Sequence, residues 1–472
     1  MKPIVIAFLI AAAFLGCAVG PDYRRPAVNT PEAWRIEEKE AANLADTAWW
    51  HEFGDPVLDE LIVSSLKQNY DVKIAAARVE EYVGRYITGR SPLFPQLYAT
   101  GAGGRQRLSE RGVVPLSSDI KNPSDYYEGL FNGSWEIDIW GRLRRLTEAA
   151  RADLLGTEEG RRSVILTLVS SVANAYVNLR DLDKQLQVAE MTAKSRGESY
   201  RLFKARFEGG LISDLELAQV KSEYELALSR IPFYQKQVAF QENALSVLIG
   251  KNPGPIPRGK TIDDLTLPAP PAGLPSDLLA RRPDIRQAEF DLIAANARIG
   301  AAKALYFPTI SLTGLLGWAS TDLSNLFSGP SQTWNYSGSF IAPIFTGGAV
   351  TGNYKTSQAV RDQALFRYQK TIQTAFREVD DALADQRRTR EQLASQRLQV
   401  STLRDYARIA RLRYDEGYTS YLEVLDAERS LFNAELEYAA TQGVLFQALV
   451  NLYKAMGGGW VTEADKITQA EE

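Results

Sequence analysis

The sequence predicts a mainly α-helical fold that carries four β-strands, and two observations support this prediction. First, very long stretches lack helix-breaking residues: residues 353–416 contain neither Gly nor Pro. At a rise of 1.5 Å per residue, a helix of that length extends about 96 Å. Second, strand-like alternation of apolar and polar residues occurs in two separate pairs of segments, one in each half of the chain. Long helical hairpins with a smaller β part are therefore expected.

The composition argues against several classes of protein. The 472 residues are 45% hydrophobic and 24% charged, with a formal net charge of -4. No basic arm or patch stands out, which argues against a nucleic acid partner. The single cysteine cannot form an intrachain disulfide, and one histidine with three methionines offers little to a soft metal ion. We therefore expect no metal site and no cofactor.

The N-terminus has the features of an export signal. Lys2 precedes an apolar run over residues 4–15, which is too short to span a bilayer comfortably but fits the core of a signal peptide. Residues 1–16 are therefore predicted to be removed after export.

Gly16 and Cys17 resemble the lipobox of bacterial lipoproteins, in which the cysteine becomes the acylated N-terminus of the mature protein. Phe14 stands where Leu is usual, and Ala18 follows the cysteine, which by resemblance favours the outer membrane. The alternative is a buried core cysteine. Acyl chains contribute about 0.8 kcal/mol per buried methylene, so lipidation would hold an N-terminal extension, residues 17–55, at a membrane.

Motifs of the first half of the chain recur in the second half. The spacing is 213 residues for an Asp-Val-Lys motif followed by Phe-Pro, and 207 residues for an Arg-Phe-Glu motif followed by Leu-Glu. The matched segments are 71–73 with 284–286, 94–97 with 307–310, 206–210 with 413–417, and 215–216 with 422–423. The sequence thus predicts two structural repeats, 56–250 and 277–458. The Pro-rich linker 251–276 joins them, and a tail, 459–472, follows.

Each repeat has the same predicted order of elements. An opening helix, 58–89 or 284–305, ends at a Phe-Pro pair, because proline disfavours helix at the preceding residue. Two strands, a very long helix, a Gly-containing turn and a returning helix follow. Apolar residues along the long helix of the second repeat step by 4, 3 and 4, which is the spacing of a coiled-coil seam. They are Ile372, Phe376, Val379 and Leu383, then Leu403, Ala407, Ala410 and Tyr414.

The four strands are predicted at about 96–108, 126–139, 307–319 and 333–345. Three of them alternate between an aromatic-rich face and a polar face, as transmembrane barrel strands do. The alternative is an ordinary amphipathic sheet packed on a helix. Four strands cannot close a barrel, for which about eight is the practical minimum, and an open edge is not tolerated in lipid. The barrel must then be shared between two or three chains.

Several multi-residue motifs, in order along nearly the whole chain, resemble one family. They are residues 17–23 with Arg25-Pro26, 138–142, 274–279 with 281–285, 421–431, and 452–455 with 457–460. On these residues the chain resembles TolC and OprM-like outer-membrane efflux channels, in the lipoprotein branch that is paired with resistance-nodulation-division pumps.

The resemblance implies a homotrimer with a twelve-stranded β-barrel in the outer membrane. An α-helical barrel below it would cross much of the periplasm, with a belt holding the linker 251–276 and the C-terminal tail. The function implied is the channel tunnel of a tripartite efflux system, a passive conduit that exports small molecules to the exterior. Its implied partners are a periplasmic adaptor protein, an inner-membrane pump and outer-membrane lipid.

The resemblance also implies a gate. Leu422 and Asp426 lie four residues apart, on one face of the helix that follows the second Gly-containing turn. The family has a hydrophobic ring and an acidic ring at the matching positions, so three copies would narrow the pore and attract cations. The alternative for Asp426 is an exposed carboxylate that pairs with Arg429 on a solvated face.

The two turns, or tips, are further candidates. Gly210, Leu211 and Ile212 belong to the first, and Gly417, Tyr418 and Thr419 belong to the second. One interpretation is a plain helical hairpin, in which Gly supplies the left-handed residue that ends a helix. The other is that the tips also contact the hairpins of the adaptor.

Four other functions compete with efflux. An enzyme is not expected, because His51 is the only histidine and no nucleotide-binding loop or metal cluster is recognisable. A periplasmic structural coiled coil, a type I secretion channel and a metal-cation efflux channel are the others. Lipidation and the segment 281–284 favour efflux over secretion, and the scarcity of Met, His and Cys argues against metal selection by this chain.

Overall fold

The computed structural model describes residues 18–31, 33–35, 48–109, 111, 121–269 and 275–469. The predicted signal peptide and Cys17 lie outside these residues. Helices and strands follow in the order α1 Pro56–Gln68, α2 Tyr70–Arg90, β1 Gln96–Gln106, β2 Ser124–Ile137, α3 Arg142–Glu208, α4 Asp214–Leu248, α5 Leu278–Arg281, α6 Pro283–Ala304, β3 Thr309–Ser320, β4 Gln332–Ile341, α7 Ala349–Asp415, α8 Tyr421–Ala455 and α9 Val461–Gln469. None of the described helices is long and apolar enough to cross a membrane.

Two helical hairpins dominate the fold. Helices α3 and α7 are both 67 residues long, and the returning helices α4 and α8 are both 35 residues long. Nothing in α7 interrupts its hydrogen-bond ladder, because its sequence contains no proline. On α7, Ile372, Val379 and Leu383 of the predicted seam are buried, and Phe376 is half-buried.

The opening stretch of the first half is two helices, so the prediction of one helix over 58–89 is wrong. Asn69 has an extended conformation with ψ 132° and separates α1 from α2. Its side-chain oxygen accepts hydrogen bonds from the backbone N–H groups of Asp71 at 2.7 Å and Val72 at 3.2 Å. Asn69 therefore satisfies two of the unpaired donors at the start of α2, as an N-cap residue does.

The four strands form one antiparallel sheet in the order β1-β2-β3-β4. Cross-strand partners share a face, so the register assigns every residue to one of two faces. One face is apolar and largely exposed, and includes Leu97, Phe131, Trp135, Leu312, Leu316, Trp334, Tyr336 and Phe340. On the opposite face polar side chains pair across strands: Asn132 with Thr100 at 2.9 Å, Ser311 with Ser339 at 2.6 Å, and Thr313 with Ser337 at 2.7 Å.

The ends of the strands lie within four residues of the predicted ones. Strand β4 ends at Ile341, four residues before the predicted end. Pro343 follows it and lacks the N–H group that a strand ladder needs. In the order given, β1 and β4 are the two edge strands, and each pairs on one side only.

The described residues form two compact units. The first comprises the described part of 1–27 together with 79–157 and 287–368, and it contains the sheet. The second comprises the described parts of 28–78, 158–286 and 369–472. The largest core of the second unit joins the N-terminal extension to α8 and α9: the Trp49 ring stacks on Tyr453 at 5.0 Å, and Trp50 meets Trp460 edge-on at 5.1 Å.

A buried carboxylate fixes the linker in this second unit. Asp55 is fully buried, and it accepts hydrogen bonds from the Tyr176 hydroxyl at 2.6 Å and from the backbone N–H of Lys260 at 3.0 Å. The segment predicted as a C-terminal tail contains helix α9, whose Asp465 lies 2.8 Å from Arg161 of α3.

Candidate channel gate and helical tips

The tip between α3 and α4 is a helix stop built on glycine. Gly210 has a left-handed backbone with φ 73°. The Leu211 N–H donates to the carbonyl of Arg206 at 2.8 Å, and the Gly210 N–H donates to the carbonyl of Phe207 at 2.9 Å. These two bonds are the Schellman motif, which pairs carbonyls that a helix C-terminus would leave unsatisfied.

The tip between α7 and α8 has the same geometry. Gly417 has φ 77°, the Tyr418 N–H donates to Arg413 at 2.8 Å, and the Gly417 N–H donates to Tyr414 at 2.9 Å. The side chains of Leu211 and Tyr418 are 77% and 78% exposed. Each tip therefore presents a large apolar side chain to solvent from a rigid turn, which is a geometry that a partner protein can recognise.

The two returning helices begin differently. Helix α4 begins with a capping box: the Glu216 N–H donates to the Ser213 hydroxyl at 3.2 Å, and the Ser213 N–H donates to the Glu216 carboxylate at 2.9 Å. Ser420, at the start of α8, makes no side-chain cap. There the carboxylate of Glu423 accepts from the Thr419 hydroxyl and lies 3.2 Å from Arg413.

An aromatic cluster packs the ends of the two hairpins in the second unit. The Phe203 ring lies 4.1 Å from Tyr421, and Tyr421 lies 4.9 Å from Tyr414 in an edge contact. The Arg206 guanidinium donates to the Tyr414 hydroxyl at 2.9 Å. These contacts join α3, α7 and α8 close to both tips, so the tips are held by a shared core.

The predicted gate residues lie on the opposite face of α8 from this core. Tyr421, Val424 and Leu425 are buried, whereas Leu422 is 57% exposed and Asp426 is also exposed. A groove of about 830 Å³ runs along this face, and its lining includes Leu422, Asp426 and Arg429 of α8 with Gln219 and Ser222 of α4. The structure therefore brings the three predicted residues together on one accessible surface.

Asp426 also forms the ion pair that the alternative interpretation predicts. The Arg429 guanidinium donates to the Asp426 carboxylate at 2.8 Å, and the two side chains are 52% and 53% exposed. At that exposure the pair is worth a few tenths of a kcal/mol, because solvent screens both charges. The pair can therefore open at little cost and still offset part of the charge on Asp426.

A buried charged cluster behind this face was not predicted from the sequence. Arg196 of α3 is 4% exposed and lies 2.8 Å from the Glu223 carboxylate of α4 and 5.1 Å from the ring of Phe432. Burial raises the pKa of the neighbouring Glu428, and burial also lowers the pKa of Arg196. A charged residue at a seam position of a helix was the signal that could have identified this cluster.

No group of three or more His, Cys, Asp or Glu residues is arranged to hold a metal ion in the part of the chain that the structure describes. The single histidine, His51, lies 2.9 Å from the Asp59 carboxylate and next to the ring of Trp50.

Long helical hairpins, a sheet with one apolar face and paired Gly-containing tips together form the architecture expected of an outer-membrane efflux channel. The chain belongs to the family described as outer membrane efflux protein, whose model matches residues 61–251 and 274–458. This establishes the family that the sequence motifs had indicated.

Individual proteins agree with this assignment. The toluene efflux pump outer membrane protein TtgC of Pseudomonas putida is 39% identical, over 98% of this chain and 96% of its own. The cation efflux system protein CusC of Escherichia coli is 37% identical, over 97% of this chain and 98% of its own. The crystal structure of the CmeC outer membrane channel of Campylobacter jejuni superposes with a TM-score of 0.90 at 25% identity, covering 97% of this chain and 99% of that one.

The comparisons establish the fold and the general function. The fold is mainly helical with four strands and is shared with known outer-membrane efflux channels. Membership of the family implies a trimer in the outer membrane that works with other components of an efflux pump. Both relatives are named for efflux and neither for secretion, so the secretion alternative is not favoured.

Proposed function

We propose that this chain is the outer-membrane channel tunnel of a tripartite efflux system, working with a periplasmic adaptor and a resistance-nodulation-division pump in the inner membrane. The observation that carries the proposal is the four-stranded sheet, whose apolar face is exposed and whose edge strands β1 and β4 each have a free side. A membrane sheet needs a partner at each edge, and further copies of the same chain supply one.

Three copies would give a closed twelve-stranded barrel in which β1 of one chain pairs with β4 of the next. The apolar face would contact lipid, and the face with the paired Ser, Thr and Asn side chains would line the lumen. Such a lumen carries neutral and polar solutes without chemical conversion, so we propose a conduit and no enzymatic activity.

We further propose that Leu422, Asp426 and Arg429 form the gate at the periplasmic end. Three Leu422 side chains would narrow the pore, and three Asp426 carboxylates, each partly offset by Arg429, would attract cations. The adaptor would contact both tips. The first tip contains Gly210, Leu211 and Ile212, and the second contains Gly417, Tyr418 and Thr419. Support for this comes from their rigid turns and their exposed Leu211 and Tyr418 side chains.

Acylation of Cys17 is proposed on the sequence alone, since residue 17 lies outside the described residues. We propose no particular cargo, because the relatives TtgC and CusC are named for toluene and for cations respectively.

Native mass spectrometry of the detergent-solubilised mature protein tests this proposal. A mass of three chains, each carrying acyl groups that disappear in Cys17→Ala, is the expected result. A dimer as the only species would contradict the twelve-stranded barrel, and a monomer would contradict any barrel shared between chains. An unmodified wild-type chain would contradict the lipid anchor.

A further inference from the structure

A cavity of about 910 Å³ lies between helices of the two hairpins, within the second unit. We call it the hairpin cavity. Helices α3, α7 and α8 line it, together with Asp263 of the linker. On α3 the lining extends from Lys184 to Arg196, which is about 18 Å of helix. Among the described residues it shares no lining residue with the groove beside Leu422 and Asp426, and its volume is within the range of small-molecule sites.

Part of the wall of the hairpin cavity is apolar. Val400 of α7 and Phe432 of α8 are 4% and 2% exposed, and the half-buried side chains of Val188 on α3 and Leu431 on α8 also line it. These side chains come from all three helices. Because moving apolar surface out of water is favourable, the cavity can hold the apolar body of a ligand.

Two of the three carboxylates in the lining are neutralised by neighbouring cations. The Asp263 carboxylate lies 2.7 Å from the Lys184 ammonium, and the Glu435 carboxylate lies 2.8 Å from the Arg404 guanidinium. A cationic ligand would have to displace Lys184 or Arg404 to reach either carboxylate. These two pairs therefore do not favour a cation in the cavity.

The third carboxylate, Glu428, is close to two arginines. Burial raises the pKa of Glu428, and the charges of Arg411 and Arg196 oppose that rise. Arg196 is 4% exposed and lies 2.8 Å from Glu223, which is outside the lining. The Nη2 nitrogen of Arg196 nevertheless donates to no acceptor among the described residues. This part of the cavity therefore favours a hydrogen-bond acceptor over a cation.

Arg397 is the cation of the lining that has no carboxylate partner. Its side chain is exposed and forms no ion pair within the described part of the chain. A guanidinium group binds carboxylate or sulfonate oxygens through a fork of N–H donors. Arg397 precedes Val400 by three residues, so the two side chains are neighbours on the surface of α7. An anionic group at Arg397 would thus place an attached apolar body at the apolar wall.

We propose that the hairpin cavity binds an elongated organic anion, with its apolar body against Val400 and Phe432 and its anionic group on Arg397. The pairing of the carboxylates selects an anion, and the length of the cavity along α3 selects an elongated molecule. Such a ligand would contact α3, α7 and α8 together. Because α8 also carries Leu422 and Asp426, the ligand would restrain the proposed gate; this consequence rests on the proposed function, whereas binding itself does not.

The test compares three probes of equal shape and different charge. Biphenyl-4-carboxylate is the anion, biphenyl-4-methanol is the neutral probe, and biphenyl-4-ylmethylammonium is the cation. Isothermal titration calorimetry of the purified full-length channel in lipid nanodiscs, with titrations of empty nanodiscs subtracted, gives the affinity for each. Arg397→Ala removes the proposed anion partner. Ser401→Phe fills the cavity from an exposed position of its lining.

The matched control is Arg390→Ala. Arg390 is exposed on the same helix seven residues earlier, is outside the lining, and forms no ion pair among the described residues. Circular dichroism should show native helix content in all three variants, since each changes an exposed side chain.

We expect wild type to bind the anion about tenfold more tightly than the alcohol, and the cation most weakly, because the anion gains a charge-assisted hydrogen bond. Arg397→Ala should remove that tenfold preference, Ser401→Phe should abolish binding, and Arg390→Ala should change neither. No binding of the anion, equal affinity for the three probes, or anion binding that persists unchanged in both Arg397→Ala and Ser401→Phe would overturn the proposed site.

Single-channel recording then separates the site from the proposed gate. With the anion present, the open probability of wild type should fall, and that of Ser401→Phe should not. If the anion binds as expected and the open probability of wild type stays the same, the restraint on the gate is wrong and the binding site stands.

Discussion

The guanidinium of Arg429 lies 2.8 Å from the carboxylate of Asp426, one turn away on α8, on the side of the helix that faces away from the aromatic core of the tips. At the proposed gate each chain would therefore present the Asp426 carboxylate with its negative charge partly offset by the neighbouring Arg429 guanidinium. If the proposed gate lies here, Arg429 would set how strongly it attracts cations.

Arg429→Ala is expected to increase the cation selectivity of the channel, because it exposes the full charge of three Asp426 carboxylates. The effect should fade as salt rises, since the Debye length falls from about 30 Å at 0.01 M to about 3 Å at 1 M. Reversal potentials in KCl gradients measure it. Arg388→Ala, which opens an exposed pair of the same spacing with Glu391 on α7, is the control and should leave selectivity unchanged. Equal selectivity in Arg429→Ala and wild type at low salt would remove Arg429 from the gate.

Gly417→Ala is expected to loosen the second tip. Its left-handed backbone costs a residue with a side chain about 1–2 kcal/mol, so the Schellman bonds should open more often. Hydrogen exchange at the amides of Gly417 and Tyr418 would then accelerate about tenfold. Gly84→Ala, in the interior of α2 with open space around it, should slow exchange locally instead, because alanine is the better helix former. Unchanged exchange at the tip would show that the turn does not depend on glycine.

Asp181→Asn is expected to stabilise the protein at neutral pH. Asp181 is 6% exposed beside Gly443 and Gln185, and burial raises its pKa to about 6. The folded state therefore holds this proton between about pH 4 and pH 6 while the unfolded state has lost it, so stability falls as pH rises through that window.

The variant has no carboxyl to ionise, so it should gain about 1–3 kcal/mol over wild type at pH 7.5 and show little difference near pH 4. Thermal unfolding of the helices followed by circular dichroism at both pH values measures this. Asp183→Asn should instead lower the stability of the protein at neutral pH, because Asp183 pairs with Arg180 and Arg258. A gain for Asp181→Asn that is the same at both pH values would contradict the assignment.

Arg282→Ala is expected to destabilise the second unit by about 3 kcal/mol, the usual cost of removing one partner from a buried charged network. Arg282 is 6% exposed, donates to the carbonyl of Ala455 at 3.0 Å, and lies 2.7 Å from Glu378 and 2.6 Å from Asp284. Urea denaturation measures the loss. Arg408→Ala, which opens an exposed pair with Asp405, should cost no more than a few tenths. A similar loss of stability in both variants would contradict the claim that the buried contacts of Arg282 stabilise the second unit.

The sequence was most informative about features that a short, local segment determines by itself. The absence of Gly and Pro from 353–416 predicted the long helix, because helix propagation needs only an unbroken ladder. Gly210 and Gly417 predicted both tips, since a left-handed residue ends a helix. The alternation along β2 predicted which residues share a face, because the period of a strand is two.

Other features depend on contacts between distant parts of the chain. The break at Asn69 depends on a local side-chain bond that competes with an otherwise helical pattern, so periodicity alone missed it. Arg196 occupies a seam position of α3, but the sequence does not identify its partner Glu223, because that contact depends on the packing of α3 against α4. The hydrogen bond from Arg145 to Asp22 was equally hidden, because it joins residues 123 positions apart.

Single-channel conductance of the purified protein in planar bilayers tests the central claim most directly, for wild type beside Leu422→Ala and Asp426→Ala. If the chain forms a channel gated at the second tip, wild type should show a small conductance that rises in both variants. Conductance at one common level in all three would leave a channel but place its gate elsewhere. No conductance from a properly oligomeric preparation would contradict the channel itself.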